Sequence, residues 1–267
     1  MVVDMTGKRT AYIFPSLLTT GGMFFGFYAI MAALTGQYER GALAIVAAGI
    51  VDGLDGRVAR AMNATSAFGK EYDSLADFLS FGIAPAVLIH QWALVPFNRV
   101  GWAGAFLYAV CGALRLARFN VQHYVGDERV FKRYFQGLPI PAAAVVLVST
   151  LLFYLEMGWG ASLGSGDHGR GGWAWLPLVL VYALGILMVS NIRFRSMKDM
   201  DWHKSRPFVT LVGVVLFLTV LTIHPAVTLF LLSWLYLASA FHSHREYRRL
   251  LAEGKEVEED EVKDFTV

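Results

Sequence analysis

The sequence predicts an all-α fold, a polytopic transmembrane helical bundle of about eight spans with both termini in the cytoplasm. Of the 267 residues, 56% are hydrophobic and only 16% are charged, against about 25% charged in a typical soluble domain. The apolar residues fall into stretches of spanning length, and the basic residues collect on alternate sides of those stretches. A soluble core of this chain length does not bury so much apolar surface, and one cysteine, Cys111, leaves no internal disulfide.

Eight apolar stretches approach the roughly 20 residues that a membrane-spanning helix needs. The first is long enough to span and follows no small-residue cleavage site, so we expect a membrane helix there and not a signal peptide. Gly22 and Gly26 within it allow close helix packing, inside the chain or across a dimer. The predicted spans are 12–35, 41–61, 73–95, 100–119, 138–157, 173–191, 208–223 and 225–243.

The basic residues predict the orientation of these spans. With the N-terminus inside, 20 of the 23 Lys and Arg residues lie in cytoplasmic segments, and only Arg40, Arg99 and Arg170 lie outside. This asymmetry follows the positive-inside rule and supports an even number of spans. We therefore expect an integral protein of the cytoplasmic (inner) membrane.

The charge distribution also divides the chain into a transmembrane domain, residues 1–245, and an acidic cytoplasmic tail, residues 246–267. The segment 253–267 holds seven acidic residues and two lysines. Such a composition is typical of a solvated, disordered segment. The net charge of +2 is therefore the sum of a basic transmembrane domain and an acidic tail.

Four aspartates interrupt the apolar background within 26 residues. Asp52 and Asp55 are three apart near the cytoplasmic end of the second span, and Asp73 and Asp77 are four apart at the start of the third. Each pair therefore lies on one helix face, and a tight turn between the spans would bring the pairs together. Helix caps or loop residues are the alternative interpretation, and Asp73 is placed to cap the third span. Two face-matched pairs of ionisable groups at membrane depth favour a functional site.

The chemistry of such a cluster points to divalent cations. Converging carboxylates repel each other unless cations neutralise them, and oxygen ligands without Cys or paired His favour Mg²⁺ or Mn²⁺ over Zn²⁺. Two such ions bridged by carboxylates suit displacement at phosphorus. Small residues nearby let a ligand approach the backbone, and Arg57 and Arg60 can pair with phosphate oxygens. The sequence therefore predicts two cations and phosphoryl chemistry at the cytoplasmic surface.

The pattern D-x2-D-G-x2-A-R-x8-G-x3-D-x3-D resembles the signature of the CDP-alcohol phosphotransferase family. The segments 68–86, 112–120, 134–144 and 188–198 further resemble the membrane-embedded phosphatidylserine synthase branch of that family, and the similarity covers most of residues 11–200. The signature is met at eight positions: Asp52, Asp55, Gly56, Ala59, Arg60, Gly69, Asp73 and Asp77.

This resemblance implies a metal-dependent transfer of a phosphatidyl group from CDP-diacylglycerol to L-serine, which gives phosphatidylserine and CMP. It implies that Asp52, Asp55 and Asp73 hold the metals, and that Asp77 shares one metal and acts as the base. The implied partners are CDP-diacylglycerol, L-serine and membrane lipid, with no nucleic acid and with a second copy of the chain in a homodimer. The implied contacts to the CDP-lipid come from Gly56, Ala59, Arg60, Ser66 and Gly69, and from Pro15 and Ser16, which stand where the family has a Pro-Asn pair.

The carboxylate of serine needs a cationic partner. Arg115, Arg118, Arg193 and Arg195 lie at the membrane level of the aspartates. We favour Arg115 and Arg118, which are three apart at the end of the fourth span with Asn120 nearby. The alternative is that all four arginines anchor helices at the interface.

Three other functions are consistent with parts of the sequence. A family member with another acceptor alcohol, glycerol phosphate or inositol phosphate, would share the signature, but a phosphorylated acceptor calls for more cationic side chains. A divalent-cation transporter would place polar residues at several depths along a pore, whereas here they collect at one surface. A structural scaffold has no use for four aligned carboxylates.

Overall fold

The computed structural model describes residues 13–61, 66–124, 134–159, 175–190, 192–195 and 222–252. Within these ranges the fold is helical apart from two strands of three residues each. Nearly all of the predicted span 208–223, and residues 253–267 of the predicted tail, lie outside the described residues.

The first two helices, α1 (Ile13–Leu34) and α2 (Tyr38–Ala61), match the first two predicted spans and pack along each other. The outer surface of α1 is apolar: Leu17, Phe24 and Phe27 are between 55% and 63% exposed. A contiguous apolar surface of this kind is unusual on a soluble protein and suits contact with lipid.

By length and composition, two helical stretches of the described chain could cross a membrane, Ser16–Leu34 and Ala67–Val121. Shorter apolar helices are Ile140–Glu156, Leu176–Val189 and Pro225–Ser239. These apolar helices are consistent with a membrane protein.

Helix α3 (Ala67–Asp77) begins six residues before the predicted span 73–95. Lys70 and Glu71 interrupt the apolar pattern near its start, so hydropathy does not mark this part of the helix. Ser66 caps the helix by accepting a hydrogen bond from the Gly69 N–H at 2.9 Å. The chain then continues without a break through a π-helical segment (Phe78–Ile83), α4 (Ala84–Ile89), a second π-helical segment (His90–Leu94) and a 3₁₀ turn (Val95–Phe97). Asn98, with a φ of 49°, separates this stretch from α5 (Asn98–Tyr124).

The π-helical segment after α3 packs directly on α1. A Cβ added at Gly26 would lie 2.5–3.0 Å from Ser80, backbone included, so only glycine allows this approach. The Ser80 hydroxyl donates to the Gly22 carbonyl at 3.2 Å. The small-residue face of α1 is therefore occupied within one chain at Gly26, and any dimer must use another surface.

The remaining described elements are α6 (Ile140–Glu156), α7 (Leu176–Val189), α8 (Pro225–Ala252) and an antiparallel ribbon of β1 (Tyr134–Gln136) and β2 (Arg193–Arg195). The helical fold class is as predicted, and this short ribbon is an addition that the sequence does not reveal, because three-residue strands that pair across nearly 60 residues leave no local alternation to detect. Gly137 follows β1 with a φ of +75° and donates its N–H to the Ile192 carbonyl at 2.9 Å. The next residue, Leu138, donates its N–H to the Leu187 carbonyl at 3.1 Å, which joins the ribbon to the end of α7.

Helix α8 runs seven residues past the predicted domain boundary at residue 245. The added residues are mostly good helix formers, and charge alone does not end a helix. Two hydrogen bonds join α8 to α6: Ser149 and Ser233 share a buried one at 2.8 Å, and the Trp234 indole donates to Thr150 in a partly buried one at 3.4 Å. Such bonds, together with large buried side chains such as Trp92, hold helices together where lipid replaces water.

Candidate active site

Two helices bring the four aspartates together. Helix α2 carries Asp52 and Asp55, and α3 carries Asp73 and Asp77. One carboxylate oxygen from each of Asp52, Asp55 and Asp73 lies within 4.8 Å of the others. Asp55 is only 6% exposed. The two face-matched pairs therefore converge as their spacing predicts, around a compact group of three carboxylates.

Asp77 lies at one side of this group. Its carboxyl is in hydrogen-bond contact with that of Asp52, and the guanidinium of Arg115 on α5 is within electrostatic range of it. Asp77 thus has both the three-carboxylate group and a cation of a neighbouring helix within electrostatic range.

Arg115 has an unused hydrogen-bond donor. Its Nε is buried and has no hydrogen-bond partner among the described residues. The phenol of Tyr236 on α8 is also within its electrostatic range, a contact that nothing in the sequence signals. A guanidinium placed beside Asp77 with a donor to spare can bind an anionic group such as a carboxylate.

The other residues predicted for the acceptor alcohol are placed differently. Arg118 is exposed, and its Nη1 reaches the Val189 carbonyl of α7 at 3.5 Å. The Asn120 amide donates to the Ser74 hydroxyl at 3.1 Å, which ties α5 to the helix that carries Asp73 and Asp77. Of the two arginines on α5, Arg115 is the one beside the aspartates.

The predicted CDP-lipid contacts that the structure describes lie at three places: on α1, on α2 and at the start of α3. A methyl group added at Gly56 would meet no atom of the described residues within 4 Å, so among these residues open space lies next to Asp55 on α2. Ser66 and Gly69 bond to each other in the cap of α3, a local role not expected from the sequence. On α1, the Ser16 carbonyl accepts a hydrogen bond from Thr20 at 2.7 Å. The side chains of Pro15, Ala59 and Arg60 lie outside the described residues, as do those of Arg193 and Arg195.

The donor set of the cluster fits a hard divalent cation. It consists of carboxylate oxygens alone, which Mg²⁺ and Mn²⁺ prefer. Three carboxylates this close need positive charge to offset their repulsion. A residue not indicated by the sequence, Thr19 on α1, donates its hydroxyl hydrogen to Asp55 Oδ2 at 3.0 Å.

Comparison with known proteins agrees with this geometry. Residues 12–165 match the family model for CDP-alcohol phosphatidyltransferases. A CDP-diacylglycerol–serine O-phosphatidyltransferase of Helicobacter pylori is 38% identical over 226 residues, which cover 85% of this chain and 88% of that protein. The enzyme of the same name from Bacillus subtilis is 37% identical over 184 residues, 69% of this chain and 90% of that protein. An archaetidylserine synthase of Methanothermobacter thermautotrophicus is 33% identical over 198 residues, 72% of this chain and 74% of that protein.

The matched region contains all four aspartates and Arg115, whereas α8 lies beyond it. The family predicted from the eight-position signature is confirmed by a model that spans more than half of the chain and by relatives that are similar over most of its length. This chain belongs to the CDP-alcohol phosphatidyltransferase family.

Proposed function

We propose that this enzyme is a CDP-diacylglycerol–serine O-phosphatidyltransferase, which transfers the phosphatidyl group of CDP-diacylglycerol to the hydroxyl of L-serine. The observation that carries the mechanism is the convergence of three carboxylates on two helices, with Asp77 in contact with Asp52 and within electrostatic range of Arg115. The names of the similar proteins supply the substrates, and all three name serine or a serine lipid.

The three-carboxylate group defines the phosphate side of the site. Asp52, Asp55 and Asp73 would hold two divalent cations, with Asp77 at the edge of one. When bound, Mg²⁺ or Mn²⁺ would neutralise the diphosphate and stabilise the charge that develops on the leaving oxygen of CMP. The open space at Gly56 lets the diphosphate approach the backbone of α2, and Arg60 follows one turn later with a cation for phosphate oxygens.

Arg115 defines the acceptor side. Its guanidinium binds the serine carboxylate and so directs the serine hydroxyl towards Asp77. Asp77 takes the hydroxyl proton during attack, which a weak nucleophile such as an alcohol requires at neutral pH. A bond forms between the serine oxygen and the lipid-side phosphorus, and the bond from that phosphorus to the CMP oxygen breaks. The proton on Asp77 then returns to solvent.

The position of the site suits a lipid substrate. The acyl chains stay in the bilayer while the diphosphate and serine need water, and the cluster lies at the predicted cytoplasmic ends of α2 and α3. We propose about eight spans, both termini inside, a site on the cytoplasmic face of the inner membrane, and a homodimer. The basic residues support this orientation, because 20 of them lie in the predicted cytoplasmic segments and three lie outside.

An acceptor screen tests the proposal. Purified full-length enzyme in detergent is given CDP-diacylglycerol with L-serine, glycerol 3-phosphate, inositol phosphate or no acceptor, and CMP release is measured. We expect release with serine only, its loss when a chelator removes divalent cations, and its return with Mg²⁺ or Mn²⁺. Release with glycerol 3-phosphate but not with serine would refute the acceptor assignment. Absence of CMP release with every acceptor would favour a transporter.

A further inference from the structure

Helix α1 makes one buried polar contact with the aspartate cluster. Thr19 donates its hydroxyl hydrogen to Asp55 Oδ2 at 3.0 Å, and the two residues are 7% and 6% exposed. The next residue, Thr20, bonds elsewhere: its hydroxyl lies 2.7 Å from the Ser16 carbonyl and 2.9 Å from the Tyr72 hydroxyl. Two adjacent threonines therefore both link α1 to its surroundings, but only Thr19 bonds to an aspartate of the cluster.

The contact matters because a carboxylate has rotational freedom. The terminal torsion of Asp is broad and roughly two-fold, so an unsupported Asp55 can turn its oxygens away from Asp52 and Asp73. The hydrogen bond from Thr19 to Oδ2 fixes the carboxylate on the side that faces α1, and it adds to the bond that the same carboxylate accepts from the Gly56 N–H. Hydrogen bonds that orient metal ligands typically contribute about 10- to 100-fold to metal affinity.

We propose that Thr19 is a positioning residue for the cation site, which it serves by orienting Asp55 without being a ligand itself. This inference rests on the proposed use of the carboxylates as metal ligands. It gives α1 a role in metal binding in addition to any contact with the CDP-lipid. If Thr19 had only a structural role, its buried hydroxyl would need no more than a hydrogen-bond acceptor. Loss of that hydroxyl would then lower stability without a specific effect on the affinity for the metal.

The test compares isosteric and conservative variants of the full-length protein in detergent. Free Mn²⁺ is measured by electron paramagnetic resonance during titration, without substrates, and melting temperature is recorded in parallel. Thr19→Val keeps the shape of the side chain and removes its donor, whereas Thr19→Ser keeps the donor. Thr20→Val is the matched control, because it removes a neighbouring hydroxyl that also joins α1 to α3.

We expect Thr19→Val to raise the Mn²⁺ dissociation constant by about 10- to 100-fold, with Thr19→Ser and Thr20→Val close to wild type. High Mn²⁺ should restore CMP release to Thr19→Val. If Thr19→Val does not fold, Thr19→Ala with Thr20→Ala as its control makes the same comparison.

The inference is overturned if the Thr19 variants lacking the hydroxyl bind Mn²⁺ as tightly as wild type, or if both threonine positions weaken binding equally. A failure of the proposed function looks different. In that case wild type would bind Mn²⁺, Asp52→Asn would lose that binding, and the acceptor screen would give no product from serine.

Discussion

Replacing Gly56 with alanine should leave the protein folded and impair its use of the CDP-lipid. A methyl group at this position meets no atom of the described chain within 4 Å, so packing does not oppose it. Removing a glycine from a helix interior is favourable by about 0.8–1 kcal/mol. Any loss of activity would therefore come from a ligand that approaches the backbone of α2.

The expected loss follows from the position of Gly56 beside Asp55. A diphosphate that lies against the helix there has to move outward to make room for a methyl group. A displacement of about 1 Å at a reacting centre costs on the order of 100-fold in rate. We expect kcat/KM for CDP-diacylglycerol to fall by about that factor, while the melting temperature stays at or above that of wild type.

Gly49→Ala is the matched control, because it lies on the same helix two turns earlier and its added methyl would make an ordinary contact with Phe81 at 3.7 Å. Both variants gain the same helix propensity. The assay is CMP release over a range of CDP-diacylglycerol concentrations at saturating serine, with thermal unfolding in the same detergent. If Gly56→Ala and Gly49→Ala both retained wild-type kcat/KM, the diphosphate would not approach α2 at Gly56, and the assignment of this space to the CDP-lipid would be wrong.

Three further substitutions test other parts of the site and the packing that supports it. Asp77→Asn should weaken Mn²⁺ binding, because it removes one negative charge beside a cation, and should lower turnover at saturating Mn²⁺ by about 10²- to 10⁴-fold, because an amide cannot take the serine proton; near-normal CMP release with unchanged Mn²⁺ binding would remove Asp77 from both roles. Arg115→Ala should raise KM for serine and leave KM for CDP-diacylglycerol little changed, whereas Arg118→Ala should affect neither, since its guanidinium reaches towards the Val189 carbonyl; equal serine KM values for the two variants would contradict this. Gly26→Ala should destabilise the protein by about 1–3 kcal/mol through overpacking against Ser80, which a lowered melting temperature would report and an unchanged one would refute.

The sequence was informative about helices with long apolar runs and less so where polar residues belong to a helix. The predicted spans 12–35 and 138–157 agree closely with Ile13–Leu34 and Ile140–Glu156. The start of α3 was missed because Lys70 and Glu71 interrupt the apolar pattern soon after Ser66, and its cap is a local hydrogen bond that hydropathy does not register. The ribbon was missed because its two strands are held by each other and by α7, not by any property of either strand alone.

In the candidate active site, too, the features set by regular spacing could be predicted, and those set by contacts with other helices could not. The convergence of the aspartates follows from helical spacing, because residues three or four apart share a face. The contacts of Thr19 and Tyr236 do not follow from it, because neither belongs to a spaced set of ionisable residues and each is identified only by what lies opposite. The preference for Arg115 over Arg118 likewise depends on which way each guanidinium points, and spacing alone does not distinguish two arginines at the end of one span.

The π-helical segment Phe78–Ile83 sets a rotational offset between the two halves of one continuous helical stretch. On one side of it lie Asp73 and Asp77, and on the other lies the buried stretch that ends near Leu94. Each residue added to or removed from an α-helix turns everything beyond it by about 100°. A π turn already holds one residue more than an α turn, so a further single-residue insertion here would rotate both aspartates away from α2 while leaving every side chain of the cluster in the chain. The length of this segment therefore matters to the site as well as the identity of the aspartates that precede it.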